Sequence, residues 1–92
     1  RVGENHPDYT ATLNNLAGLY ELRGGYARAE ALYVQCREID KQVLGEQHPD
    51  YAITLGNLAW LYYVMGDYAR AEPLHLQCRE IQKKILGCLM CF

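Results

Sequence analysis

Apolar residues recur at steps of three and four in four separate segments of the chain. The first segment places four of them on one face of a helix: Leu13, Leu16, Ala17 and Tyr20. The second segment, after Gly24-Gly25, repeats the spacing with Ala29, Leu32, Cys36, Ile39 and Val43. No segment alternates with a period of two, so the pattern predicts four helices and an all-α fold.

The sequence repeats itself after 42 residues. When residues 1–45 are aligned with residues 43–87, 28 of 45 positions are identical. The run Gly3-Glu4-x-His6-Pro7-Asp8-Tyr9 returns from Gly45 to Tyr51, and Tyr26-Ala-Arg-Ala-Glu30 returns from Tyr68 to Glu72. A period of this length predicts a stack of equivalent supersecondary units.

Each unit is predicted to be a helix-turn-helix hairpin. The units cover residues 1–44 and 45–87, and residues 88–92 follow as a non-repeat tail. The hairpin turns lie at Gly24-Gly25 and Gly66-Asp67, while His6 and His48, each preceding a proline, are predicted at helix starts. The connection over residues 45–48 is compatible with a turn or with a continuous helix.

Small and aromatic residues predict how the hairpins pack. Ala17 and Ala29, repeated as Ala59 and Ala71, allow the two helices of a unit to approach closely. Four tyrosines are expected to fill the larger gaps: Tyr20, Tyr26, Tyr62 and Tyr68. Each hairpin keeps a second apolar face, which only a neighbouring unit can cover.

Size and charge exclude several classes of function. A chain of 92 residues with a net charge of -2 is one small domain without an electrostatic reason to bind nucleic acid or an anionic membrane. No apolar stretch approaches the roughly 20 residues that span a bilayer. The cysteines suggest no disulfide framework, so we expect reduced thiols and a cytoplasmic location. Because the chain lacks an initiating Met, we interpret it as part of a longer protein.

Catalytic and metal-binding patterns are weak. The sequence contains no Ser, no phosphate loop and no dinucleotide fingerprint. The acidic residues Glu30, Glu38, Glu72 and Glu80 are spaced for exposed ion pairs with basic neighbours on the same helices. We therefore predict no catalytic residues, no cofactor and no metal.

The tail carries one separate motif. Cys88-x-x-Cys91 is compatible with half of a zinc site shared between two chains or with a redox pair. An apolar tail that packs on its own or a neighbouring chain is the preferred interpretation.

The motifs resemble the tetratricopeptide repeat family, in the 42-residue form of kinesin light chain. The resemblance covers residues 1 to about 87 and lies in His-Pro-Asp-Tyr, Thr-Leu-x-Asn-Leu-Ala-x-Leu-Tyr and Tyr-Ala-Arg-Ala-Glu. It implies an α-α superhelix, or solenoid, of two repeats. It also implies that Cys36 and Cys78, at a position where Ala is usual, are buried small residues rather than a redox pair.

In this family the first helices of the repeats line a concave groove that binds peptides. By this resemblance the groove residues are Asn14, Asn15, Gly18, Glu21 and Leu22 in the first repeat, and Gly56, Asn57, Trp60, Tyr63 and Val64 in the second. The Asn amides can bond a peptide backbone, and Trp60 with Tyr63 forms an aromatic patch. The alternatives are a structural hydrogen bond for Asn15 and Asn57, and packing against a further repeat or neighbouring molecule for Trp60 and Tyr63.

Two functions follow from the resemblance and from the short chain. The first is a protein or peptide recognition module, cut from a longer scaffold. We do not expect a carboxylate clamp, because such a clamp uses Lys and Arg and only Arg23 lies near the groove. The alternative is a structural unit that forms homo-oligomers through the exposed repeat faces and the apolar tail. At least three repeats are usually needed to bury a continuous core, so two repeats are expected to associate.

Overall fold

Four helices make up the part of the chain that the structure describes. The structure is a computed structural model, which describes the backbone of residues 6–86 and the side chains of residues 9–85. In chain order the helices are α1 (His6–Leu22), α2 (Tyr26–Val43), α3 (Pro49–Met65) and α4 (Tyr68–Leu86). No strand occurs between residues 6 and 86, which confirms the all-α prediction. The tail, with Cys88 and Cys91, lies outside the described residues.

Glycines in the left-handed conformation end three of the helices. Gly24 follows α1 with φ +83°, and Gly66 ends α3 with φ +84° and bonds the carbonyl oxygens at the end of that helix. Both predicted hairpin turns are therefore confirmed. Gly45, with φ +92°, follows α2 in the same way, so the connection over residues 45–48 is a turn and the continuous-helix alternative is wrong.

The start of α3 is fixed by a side-chain cap. The Nδ1 atom of His48 accepts a hydrogen bond from the Asp50 backbone N–H at 3.1 Å. Pro49 occupies the first helical turn, where its missing N–H leaves no helix bond unmade. The prediction that His48 marks a helix start is confirmed, and the equivalent side chain of His6 lies outside the described side chains.

Close packing within each hairpin depends on alanine and cysteine. Ala17 and Ala29 are fully buried where α1 packs on α2, and Ala59 and Ala71 occupy the same positions between α3 and α4. The Cys36 thiol lies 3.8 Å from the Thr10 carbonyl oxygen, to which it donates. Its counterpart Cys78 donates to the Ala52 carbonyl oxygen at 3.2 Å. Both cysteines thus act as buried small residues with a weak donor, as predicted.

The two hairpins stack through α2 and α3, which covers a second side of α3. On that side lie Tyr51, Thr54, Leu58 and Leu61, each at most 4% exposed. The counterparts on α1 are all exposed: Tyr9, Thr12, Leu16 and Leu19. Leu16 is 40% exposed and Leu58 fully buried because no described helix covers this side of α1. We call Tyr9, Thr12, Leu16 and Leu19 the α1 face.

A corresponding surface is open on α4. Tyr68 is 61% exposed, so the prediction that it fills an interior gap is wrong. Tyr26, its counterpart on α2, packs against the core because α3 covers that side of the first hairpin. No described helix follows α4 to cover Tyr68.

Buried polar groups also join the two repeats where α2 contacts α3. Asp40 is 1% exposed, and its Oδ2 accepts a hydrogen bond from the hydroxyl of the fully buried Thr54 at 2.9 Å. The Cys36 Sγ lies 3.4 Å from the Thr54 hydroxyl and 3.8 Å from Asp40 Oδ2. The repeat does not extend to Asp40, because Gln82 stands at the matching position in α4.

This environment makes Cys36 unreactive. Burial raises the pKa of the Cys36 thiol to about 11; the Thr54 hydrogen bond works in the opposite direction, and the Asp40 carboxylate raises the pKa further. Burial also raises the pKa of Cys78. The thiolate is the reactive form of cysteine, so neither residue is poised for redox chemistry.

Replacing Thr54→Val keeps the shape of the side chain and removes the hydroxyl that donates to Asp40. Because the carboxylate stays buried with one donor fewer, we expect the free energy of unfolding to fall by about 1–3 kcal/mol. The matched control is Thr12→Val on the exposed α1 face, which should change that free energy by less than about 0.5 kcal/mol. Urea denaturation followed by circular dichroism measures both, and equal losses would contradict the importance of the buried pair.

The Cys36 thiol is expected to resist alkylation in the folded chain. At about pH 8, iodoacetamide should label Cys36 at least about tenfold more slowly in the native chain than in urea, because labelling requires an exposed thiolate. Mass spectrometry of the peptide that contains Cys36 gives both rates. Similar rates in the two states would show that the thiol is accessible.

Candidate functional site

The predicted groove residues lie along α1 and α3, some facing away from the hairpin cores and others at the edge of those cores. Five of them are exposed: Asn15, Leu22, Trp60, Tyr63 and Val64. The others are half-buried: Asn14, Gly18, Glu21, Gly56 and Asn57. Their spacing places them next to one another along each helix, away from the buried stripe that includes Leu13 and Ala17. We call this set the groove stripe.

Three aromatic rings form a continuous array at the α3 end of the groove stripe. The centroids of Trp60 and Tyr63 are 5.4 Å apart with the rings stacked at 26°. Tyr63 also lies 5.4 Å from Tyr68, whose ring is tilted by 53°. Trp60, Tyr63 and Tyr68 are each more than half exposed. Such rigid, amphipathic side chains are typical of the anchor positions of protein interfaces.

Tyr68 was not predicted as a member of this array. The residue belongs to α4, and its counterpart Tyr26 suggested a role in packing. The available signal was the short Gly66-Asp67 turn, which places the first residue of α4 close to the end of α3.

Two groove residues of the first repeat are engaged in the structure itself. The Tyr33 hydroxyl donates to Glu21 Oε1 at 3.2 Å. Burial raises the pKa of Tyr33 to about 12, and the Glu21 carboxylate adds to that rise. Asn14 lies close enough to bond Cys36, and its Oδ1 is buried without a hydrogen-bond partner. Asn14 and Glu21 therefore present only part of their polar groups to the groove.

Asn15 and Asn57 differ from Asn14. No side-chain hydrogen bond within the described part of the chain occupies either amide, and Asn15 is exposed while Asn57 is half-buried. The alternative of a structural hydrogen bond has no support among these residues. Both amides can donate to and accept from a peptide backbone.

A charged network joins the repeats beside this surface. The Tyr62 hydroxyl donates to Glu30 Oε2 at 2.6 Å, and Arg70 Nη1 lies 3.2 Å from the same oxygen. Arg70 also pairs with Asp67 at 2.7 Å and stacks over the Tyr62 ring at 4.5 Å. Burial and the Glu30 carboxylate raise the pKa of Tyr62.

This network corrects one prediction. Glu30 pairs with Arg70 of the other repeat instead of forming an exposed pair within its own helix. The pair joins residues 40 positions apart in the sequence, so helical spacing gave no sign of it. Glu38, in contrast, pairs locally with Arg37 at 3.4 Å.

The described residues suggest no catalytic or metal centre. Among the described side chains, those of residues 9–85, no three His, Cys, Asp or Glu come together as metal ligands. His48 caps a helix, and His75 is exposed on α4. None of the four described helices is long and apolar enough to cross a membrane.

Comparison with known families identifies the repeat. The family model described as Tetratricopeptide repeat matches residues 8–84, which includes all four helices almost completely. Repeats of this kind generally mediate protein–protein interactions and are not enzymes. A search of curated proteins finds no match. The chain belongs to the tetratricopeptide repeat family.

Proposed function

We propose that the chain recognises a peptide or a partner protein along the groove stripe. The observation that carries this proposal is the exposed aromatic array of Trp60, Tyr63 and Tyr68. Contact with a partner would remove this apolar surface from water, which is favourable. The backbone of α1 and α3 holds the stripe rigidly, so little ordering of the protein is needed on binding.

The chemistry of the stripe indicates the kind of ligand. Leu22 is 86% exposed, and Val64 extends the apolar surface next to the aromatic array. Glu21 is the one charged member of the stripe, and its carboxylate already accepts from Tyr33. The ligand that fits is an apolar or aromatic segment whose backbone bonds the amides of Asn15 and Asn57. A C-terminal carboxylate is a poor match because the stripe contains no Lys or Arg.

The wider setting is also a proposal. The 42-residue period and the His-Pro-Asp-Tyr starts support membership of the kinesin-light-chain-like subgroup, within a longer scaffold protein. The same features support repeat boundaries at residues 1–44 and 45–87. Free, buried Cys36 and Cys78 are consistent with the cytoplasm, where thiols stay reduced.

Replacing Trp60→Ala tests the groove. Peptides selected from a random library on the immobilised chain serve as probes, and their dissociation constants are measured by fluorescence anisotropy. Removal of a central aromatic anchor should weaken binding by about tenfold or more. Val43→Ala is the matched control, because Val43 is similarly exposed but lies at the end of α2, away from the stripe. Unchanged affinity of the Trp60→Ala variant would overturn the groove assignment.

Homo-oligomerisation is the second candidate function. It is favoured by the α1 face, where Leu16 and Leu19 are 40% and 49% exposed although their counterparts Leu58 and Leu61 are fully buried. The apolar tail of residues 88–92 was predicted to contribute as well, and it lies outside the described residues. The α1 face and the groove stripe share no residue.

The oligomeric state distinguishes these possibilities. Multi-angle light scattering behind size exclusion, over about a hundredfold range of concentration, should give a mass that rises above 10.5 kDa as the concentration increases. The expected reason is burial of Leu16 and Leu19 against another copy. A monomer that stays cooperatively folded at every concentration would overturn the homo-oligomer proposal and leave peptide recognition untouched.

A further inference from the structure

One shallow hollow lies on the second hairpin and another lies on the first. The first, of about 300 Å³, is formed by α4 and the end of α3 and is lined by Tyr63, Tyr68, Ala71, Glu72, His75 and Leu76. The second, of about 240 Å³, is formed by α1 and α2 and is lined by Leu16, Tyr20, Arg28, Ala31 and Leu32. We call them the α4 hollow and the α1 hollow.

The α4 hollow corresponds to a surface that is already occupied in the first repeat. Shifted by 42 positions, its lining residues become Glu21, Tyr26, Ala29, Glu30, Tyr33 and Val34. Ala29 and Tyr33 are buried in the core cluster that they share with Leu58, Leu61 and Tyr62 of α3. The α4 hollow is therefore the surface of a repeat that receives the first helix of the following repeat.

The α1 hollow corresponds to the opposite half of the same interface. Its lining residues shift to Leu58, Tyr62, Arg70, Pro73 and Leu74. Leu58 and Tyr62 belong to the core cluster that joins the repeats, and Tyr62 and Arg70 bond Glu30. The chain thus presents two open surfaces that match the two sides of an interface it forms internally.

The charged contact of that interface is retained at both open surfaces. Internally, Glu30 accepts from the Tyr62 hydroxyl and from Arg70. The matching carboxylate in the α4 hollow is Glu72, and the matching donors in the α1 hollow are Tyr20 and Arg28. Arg28 already lies 5.5 Å over the Tyr20 ring, much as Arg70 lies over Tyr62. The two hollows therefore carry opposite charges, and both also have apolar lining residues.

We propose that the occupant of the α4 hollow is the α1 hollow of a second copy of this chain, with Glu72 of one copy accepting from Tyr20 and Arg28 of the other. This geometry rests on the proposed homo-oligomerisation and specifies its direction. Because the two surfaces differ, the contact is head-to-tail, and each added copy leaves one surface of each kind open. The assembly grows as an open series rather than closing as a symmetric dimer.

One difference from the internal interface favours the association. Asp40 brings a buried carboxylate to the contact with Thr54, whereas Gln82 stands at that position on α4 and would face Thr12 of the second copy. A neutral amide at this position avoids the burial of a charge. Docking therefore desolvates one carboxylate, that of Glu72, and supplies it with an arginine and a hydroxyl donor.

Charge reversal tests the proposed contact. Sedimentation velocity over a concentration series is measured for Arg28→Glu, for Glu72→Arg, for the chain that carries both changes, and for an equimolar mixture of the single variants. Each single variant places like charges together, and its dissociation constant should rise by about tenfold or more. Both the double variant and the mixture restore the opposite charges and should associate again. The matched control is Glu80→Arg, which changes another exposed Glu of the same helix. Its counterpart Glu38 lies outside the core, so this variant should not change the dissociation constant.

Blocked faces test the direction of assembly. Leu19→Glu disables the α1 face and Leu76→Glu disables the α4 hollow; both residues are about half exposed, and circular dichroism verifies that the variants fold. Each variant alone should be monomeric, and their mixture should form a 1:1 heterodimer and nothing larger. A dimer that survives in either variant alone would overturn the head-to-tail geometry while leaving homo-oligomerisation intact.

Two further results would also contradict the proposal. Loss of association on replacing Leu89→Ser and Phe92→Ser, with no effect of Glu72→Arg, would assign the contact to the tail. A wild-type chain that is monomeric at every concentration would overturn both the head-to-tail contact and the homo-oligomer proposal beneath it.

Discussion

The packing of α3 between α2 and α4 is the contact on which the rest of the structure depends. Five apolar residues of this helix are fully buried: Ala52, Leu55, Leu58, Ala59 and Leu61. The equivalent helix of the first repeat, α1, packs against one described helix, α2, and its second apolar side is exposed among the described residues. Hydrophobic burial scales with the area removed from water, so α3 supplies most of the cohesion between the hairpins.

Polar groups give that contact its register. A purely apolar surface tolerates sliding, whereas a buried hydroxyl and carboxylate must meet to avoid an unsatisfied group. Thr54 with Asp40 fixes one end of the α2 and α3 contact, and Tyr62 with Glu30 and Arg70 fixes the other. The first pair is fully buried and the second is partly open to solvent. The apolar residues between them, Leu58 and Leu61, are thereby held at a single alignment.

The functional surfaces are what this packing leaves uncovered. The exposed members of the groove stripe lie on neither the hairpin side nor the stacking side of α1 and α3, whereas Glu21 borders the hairpin side through its bond with Tyr33. The α4 hollow is open because no described helix follows α4. Tyr63 belongs to both the groove stripe and the α4 hollow, so a groove ligand and a second copy of the chain would share its ring. Tyr68 of the aromatic array also lines the α4 hollow, so the two proposed functions are coupled at two residues.

The sequence by itself determined the four helices, their turns and the repeat, since these depend on i to i+4 spacing, glycine and proline, all of which are local. The groove stripe came from the family resemblance and stays a prediction. It also determined that Cys36 and Cys78 pack as small residues, through their place in the repeat. Only the tertiary structure decided that Asp40 meets Thr54, that Glu30 pairs with Arg70, that Tyr68 completes the aromatic array, and that Leu16 is exposed while its counterpart Leu58 is buried. Two residues at equivalent positions of the repeat can differ in this way because burial depends on the neighbouring helix, and helical periodicity carries no information about whether that neighbour is present.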